Sequence, residues 1–176
     1  DDEIGRECLL KVSYNSHDKL KAVCRSWEAM LSSPQFYEDR KISGTSEQFI
    51  CLIQAIPKGN SADDKWQATR AYGLTLYDPL QGAWDRLPSI PEFPDGIPLF
   101  CECFWVDQKL VMIGGWNPSR WEAMNSVFIY DFTSGKWRRG ADMDRIRSFF
   151  ACAVSPSGLI YVAGGHENNK NALRTC

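Results

Sequence analysis

Catalysis and metal binding draw on His, Cys, Asp, Glu and Tyr side chains gathered in one place, and this 176-residue sequence supplies them thinly. Its two histidines, His17 and His166, are distant from one another. Cys101 and Cys103, in the run CEC, would project from one face of a strand, but no histidine pair stands ready to complete a tetrahedral metal set. The expectation is therefore no metal, no cofactor, no catalytic residue, and cysteines that are structural and reduced. Metal or radical chemistry is the rival reading and needs ligands that the fold would have to cluster. The residue types that do stand out are those that anchor protein interfaces. GWNPSRW offers Trp116, Arg120 and Trp121, and GHENNK offers His166 and Glu167, as candidates for binding a target. Ordinary solvated turns are the competing account of each. DMDRIRS adds Asp142, Asp144, Arg145 and Arg147, readable as arginines offered to an acidic target or as internal salt bridges.

The bulk composition narrows the class. At 44% hydrophobic and 24% charged, the chain has the make-up of a soluble globular protein. A formal charge of −2 with no basic cluster gives no footprint for nucleic acid. No apolar run approaches the ~20 residues of a membrane helix, and the opening DDEIGRECLL is acidic where a signal peptide is basic and then apolar. Seven cysteines, an odd count, suit a reducing compartment, so the expected location is cytoplasmic, nuclear or both. The absence of an initiator Met and the ending NALRTC read as a piece of something longer.

The elements that must position these residues follow two periods. Up to about residue 37 the period is helical. Ile4, Cys8 and Leu9 mark a first helix, and Leu20, Val23, Cys24, Trp27 and Met30 mark one face of a second, with Ser16 or Asp18 as its N-cap. Ser33 and Pro34 announce a third. The polar stretch EDRKISGTSEQ, residues 38–48, reads as a boundary. Beyond it the period falls to two, in runs such as KLVMIGG, SVFIYD and LIYVAGG.

The β half repeats itself. LTLYDPLQGAW (74–84) superposes on VFIYDFTSGKW (127–137) at an offset of 53, with Tyr77 on Tyr130, Asp78 on Asp131, Gly82 on Gly135 and Trp84 on Trp137. Gly114-Gly115 and Gly164-Gly165 recur at an offset of 50. Before Tyr77, where a further Gly-Gly is due, the chain has Ser61-Ala62. Four strands in ~50 residues make a propeller blade. Paired glycines permit close backbone approach, and the Tyr and Trp rings would pack between blades with their polar tips on backbone groups.

Gly-Gly, Tyr and Trp at this spacing resemble the kelch repeat. Residues 1–37 resemble an F-box through DDEIGRECLLKV, HDKLKAVCRSWEAML and SPQF. The implied fold class is α+β as two domains: a three-helix F-box over 1–40, a linker over 41–48, and an all-β, incomplete kelch propeller of about two to three blades over 49–176. The combination resembles plant F-box/kelch-repeat proteins, the substrate receptors of Skp-cullin-F-box ubiquitin ligases. Two stretches, VCRSWEAMLSSPQFYEDRK and MIGGWNPSRWEAMNSVFIYDFTSGKWRRGADM, are similar to the subfamily linked to turnover of phenylalanine ammonia-lyase, and so to phenylpropanoid metabolism, and of cytokinin-response regulators. The resemblance implies a non-catalytic receptor subunit. Ile4, Leu9, Leu10, Leu20, Val23 and Trp27 would meet a Skp-type adaptor and through it a cullin. The propeller loops would hold a protein target for ubiquitination and proteasomal degradation. Val23 and Cys24 are equally readable as packing between the helices. A truncated product that binds adaptor without target, and a kelch scaffold without a ligase role, are the alternatives.

Overall fold

The computed structural model describes residues 2–56, 71–169 and 171–175. Ser61 and Ala62 lie outside the described residues. The chain divides into two compact units, Asp1–Ile50 with Tyr77–Trp84, and Cys51–Leu76 with Asp85–Cys176. Among the described residues no helix is long and apolar enough to cross a membrane.

Four helices come first, where the sequence pattern predicts three: α1 (Asp2–Leu10), α2 (His17–Lys21), α3 (Arg25–Leu31) and α4 (Pro34–Ile42), with a 3-10 turn at Tyr14–Ser16. The extra helix arises because the run from Leu20 to Met30 breaks. The Val23 N–H closes a tight turn on the Leu20 carbonyl at 3.1 Å, and Cys24 swings to extended backbone at φ −160°. Its carbonyl then accepts the Glu28 N–H at 3.0 Å and α3 begins. Val and Cys are weak helix formers, and the break lets Leu20, Trp27 and Met30 pack together on the core of Leu9, Leu31, Phe36 and Tyr37. Ser16 precedes α2 without a side-chain cap, and Asp18 falls inside its first turn. At α4 the cap forms as its residues predict, with Ser33 Oγ accepting the Phe36 N–H at 3.3 Å and Pro34 opening the helix. α4 runs on to Ile42, beyond the expected end near Tyr37.

Antiparallel sheets follow. β1 (Ile50–Ala55), β2 (Tyr72–Asp78) and β3 (Ala83–Arg86) pair in that order. A four-stranded sheet has the order β4 (Glu102–Val106), β5 (Lys109–Ile113), β8 (Val127–Asp131), β9 (Lys136–Arg139). A small hairpin, β6 (Trp116–Asn117) with β7 (Glu122–Ala123), sits in sequence between β5 and β8, and β10 (Ala151–Val154) pairs with β11 (Ile160–Ala163). β5 is the central strand and is buried on both faces from Leu110 to Ile113, which is why KLVMI is apolar throughout and does not alternate. On one side Val111, Ile113 and Val127 close on Phe150, with Cys152 and Val162 of the next strand pair packed against them. No closed propeller is present among the described residues.

Candidate interaction surfaces

On the helical unit, the six positions expected to meet an adaptor separate by burial. Ile4 (68% exposed) and Val23 (61%) are open to solvent, whereas Leu9 (3%) is enclosed by Leu31, Phe36 and Tyr37. Leu10, Leu20 and Trp27 are half-buried against the same core. Leu9 therefore supports a surface from beneath. Cys24 is exposed beside Val23, so the reading of these two as interhelical packing does not hold: the break before α3 turns both outward.

The helical unit also holds a buried polar cluster that sequence periodicity does not reveal. Arg40 donates to the carbonyls of Val12 and Thr45 and pairs with Glu47 at 2.6 Å. His17 is fully buried, with Nε2 2.9 Å from Arg40 Nη1 and Nδ1 3.3 Å from the Tyr37 hydroxyl. Burial, and then the Arg40 charge, hold the imidazole below its ordinary pKa of 6.5. Glu47 also accepts the Tyr14 N–H at 2.9 Å. Residues 43–47, read from sequence as part of a linker, are thus bonded back onto the helices. The only sequence signal was that EDRKISGTSEQ holds both signs of charge.

The two repeated hairpins match in detail. Asp78 Oδ1 accepts the N–H groups of Leu80 (2.9 Å) and Gln81 (3.2 Å), and Asp131 Oδ1 those of Thr133 (2.8 Å) and Ser134 (3.4 Å). Each aspartate folds its own turn, and Gly82 and Gly135 supply the left-handed residue at φ 62° and 67°. Tyr77 lies on Trp84 with ring centroids 4.6 Å apart, and Tyr130 on Trp137 at 5.2 Å. The copies differ in burial: Tyr130 is enclosed and Trp137 Nε1 donates to the Pro88 carbonyl at 2.7 Å, whereas Trp84 is more than half exposed.

The paired glycines let backbone segments approach closely, Gly115 and Gly165 within their own repeats and Gly114 across to the next. Gly115 (φ 91°) and Gly165 (φ 93°) share one conformation. A Cβ on Gly115 would fall 2.6 Å from the Leu99 carbonyl oxygen, and one on Gly165 would fall 2.7 Å from that of Ser148. Gly114 is similarly crowded by the Arg147 carbonyl, whereas Gly164 has room.

Of the loop candidates, Trp121 is exposed and held at φ 56°, and Arg120 beside it is exposed. Trp116 is half-buried, with its indole N–H donated to Ser148 Oγ at 2.5 Å. His166 pairs with Ser148 through the backbone, and Glu167 lies 3.9 Å from Arg145. Asp142 pairs with Arg139 at 2.9 Å. Arg147 is not offered to a target at all. It is 4% exposed and donates to the Gly164 and Thr175 carbonyls. Sequence reasoning missed Phe100 and Phe149, whose rings stack at 4.2 Å. The available signal was their matching place, 49 apart, ahead of β4 and β10.

The described cysteines are free thiols. Burial pushes the Cys51 thiol up to about 11, the neighbouring Cys101 thiol and then burial push Cys103 upward, and burial raises Cys152. A thiol so held stays protonated and is a poor nucleophile. Among the described residues no three His, Cys, Asp or Glu side chains are grouped as a metal ion would require.

Comparison with known proteins places these features. Residues 102–144 match the Kelch motif. The chain is 38% identical over 195 residues to F-box/kelch-repeat protein At2g44130 of Arabidopsis thaliana, covering 98% of this chain and 47% of that protein. It is 40% identical over 175 residues to F-box/kelch-repeat protein At1g80440 (98% and 49%) and 35% identical over 208 residues to F-box/kelch-repeat protein SKIP20 (99% and 49%), both of the same plant. The chain spans about half the length of the curated relatives it matches. At 35–40% identity over nearly its whole length, it is homologous to Arabidopsis proteins named F-box/kelch-repeat, with four helices followed by antiparallel sheets that include a Kelch motif.

Proposed function

We propose that the protein is the substrate-recognition subunit of a Skp-cullin-F-box ubiquitin ligase. The helical unit binds the Skp-type adaptor and through it the cullin, and the β-rich unit holds a protein target for ubiquitination and proteasomal degradation. The observation that carries this reading is homology to F-box/kelch-repeat proteins across both units rather than one alone. The chain contributes proximity, not a catalytic group. It acts in the cytoplasm or the nucleus. Phenylalanine ammonia-lyase is the target we favour, on the likeness of the two quoted stretches, which makes phenylpropanoid synthesis the regulated process.

Ile4 and Val23 supply the exposed apolar area for the adaptor, and Leu9, Leu10, Leu20 and Trp27 hold it in shape. The test is co-purification of a Skp-type adaptor. Val23→Glu with Ile4→Glu is expected to abolish capture while leaving the melting temperature in place. Undiminished capture would overturn the ligase role. Phenylalanine ammonia-lyase accumulating on the receptor under proteasome blockade is expected, and its absence would remove that target while leaving the ligase role standing.

A further inference from the structure

Phe100 and Phe149 hold one position in successive repeats, and both keep left-handed backbone, at φ 55° and 53°. For a bulky residue that conformation is strained and uncommon. Their rings stack with centroids 4.2 Å apart at 27°, yet they remain 53% and 57% exposed. The two rings pack on one another and leave about half of each on the surface, as an aromatic shelf. Trp121 is also left-handed and half exposed. Its loop is held by the Asn117 side-chain oxygen, which accepts the Ser119 and Arg120 N–H groups, and by its own N–H on the Asn117 carbonyl.

Phe100 and Trp121 line one cavity of about 390 Å³ together with Ile53, Tyr72, Ile97 and Leu99. Among the described residues none that lines it carries a charge. An ionised group entering would lose its hydration without gaining a counter-charge, whereas an uncharged apolar side chain gains by leaving water. The volume lies near the lower bound of ligand cavities, room for a side chain or two and not for a folded surface.

We propose that Phe100, Phe149 and Trp121 form an anchor site for one bulky apolar side chain, Leu, Phe or Trp, presented by an extended segment of a partner protein. The proposal rests on the reading of the β-rich unit as the target-holding part, and it names the chemistry of what is held. The Asn117 bonds and the Phe100–Phe149 stack keep the aromatic walls in place before the partner arrives, so little ordering is left to occur on binding.

The test is surface plasmon resonance with the whole chain immobilised at low density. The probes are 12-residue Gly/Ser peptides that carry one central Leu, Phe, Trp, Glu or Lys. The apolar peptides are expected to bind saturably and the charged ones at least about tenfold more weakly, a difference of one decade in dissociation constant. Phe100→Asn and Phe149→Asn retain a residue that tolerates left-handed backbone, and are expected to cost the apolar peptides about tenfold at an unchanged melting temperature. If Phe100→Asn fails to fold, Phe149→Asn decides, since Phe149 supports the shelf from outside the cavity lining. Equal binding of charged and apolar peptides, no binding of any peptide at millimolar concentration, or unaltered affinity in the Asn variants would each overturn the site. Adaptor capture measured alongside separates the two readings: capture without peptide binding removes only the anchor site, and peptide binding without capture removes only the ligase role.

Discussion

Arg40 and Glu47 are joined at 2.6 Å with both side chains shielded from water, although the sequence around them looks like an exposed polar connector. Removing one member of such a pair leaves a charge buried and uncompensated. Glu47→Ala is expected to destabilise the helical unit by about 3–5 kcal/mol, read as a lower urea midpoint. A loss under about 1 kcal/mol, the range of an exposed pair, would show that water reaches the site.

His17 adds a pH dependence. Its folded pKa lies below 6.5, so the unfolded chain binds more protons in the window between the two values. The stability that His17 contributes is present above pH 6.5 and is lost as pH falls through the folded value. Arg40, Glu47, Lys21 and the Tyr37 hydroxyl are the groups that face it. His17→Gln is expected to flatten the slope of stability against pH below 6.5, as followed by denaturation across pH 5–8. An unchanged slope would assign it to other groups.

Gly115 and Gly165 test the close backbone approach inside each repeat, where the end of one strand meets the segment that enters the strand before it. Either glycine→Ala change places a methyl against a backbone carbonyl at 2.6–2.7 Å as well as straining φ. A loss of more than about 3 kcal/mol is expected. Gly164→Ala meets its nearest atom only at 3.8 Å and should cost about 1–2 kcal/mol, the left-handed penalty alone. Thermal melts of the three variants rank them. Equal losses would mean that the close approach does not set the cost.

The paired hairpins predict unequal tryptophans. Trp137→Phe removes the bond to the Pro88 carbonyl, a group that water can reach, and should cost about 0.5–1.5 kcal/mol, the net worth of one hydrogen bond. Trp84→Phe, at an exposed ring, should stay within about 0.5 kcal/mol. A larger loss at Trp84 would reverse the assignment.

β1 has one sheet partner among the described residues and exposes Ile50 and Ile53, and β11 likewise exposes Ile160 and Tyr161. Unpaired apolar strands template association. The 176-residue chain expressed by itself is expected to self-associate with rising concentration, seen by light scattering. A soluble monomer with a sharp cooperative melt would contradict this.

Local chemistry, written in adjacent residues, was open to reading from the sequence by itself. The Ser33-Pro34 start of α4 and the Asp, Gly and Trp of each hairpin depend on neighbours a few positions away. The tertiary structure decided what depends on distant partners. A helical period across Leu20–Met30 does not disclose that the chain breaks at Cys24, nor that Val23 faces water while Leu9 does not. Residue type does not disclose that Arg147 is spent on carbonyls, that Arg40 finds Glu47, or that Phe100 and Phe149 meet across 49 residues. Periodicity records how often a side chain returns to a face. Which face is covered depends on the segments that fold back over it, and those lie elsewhere in the chain.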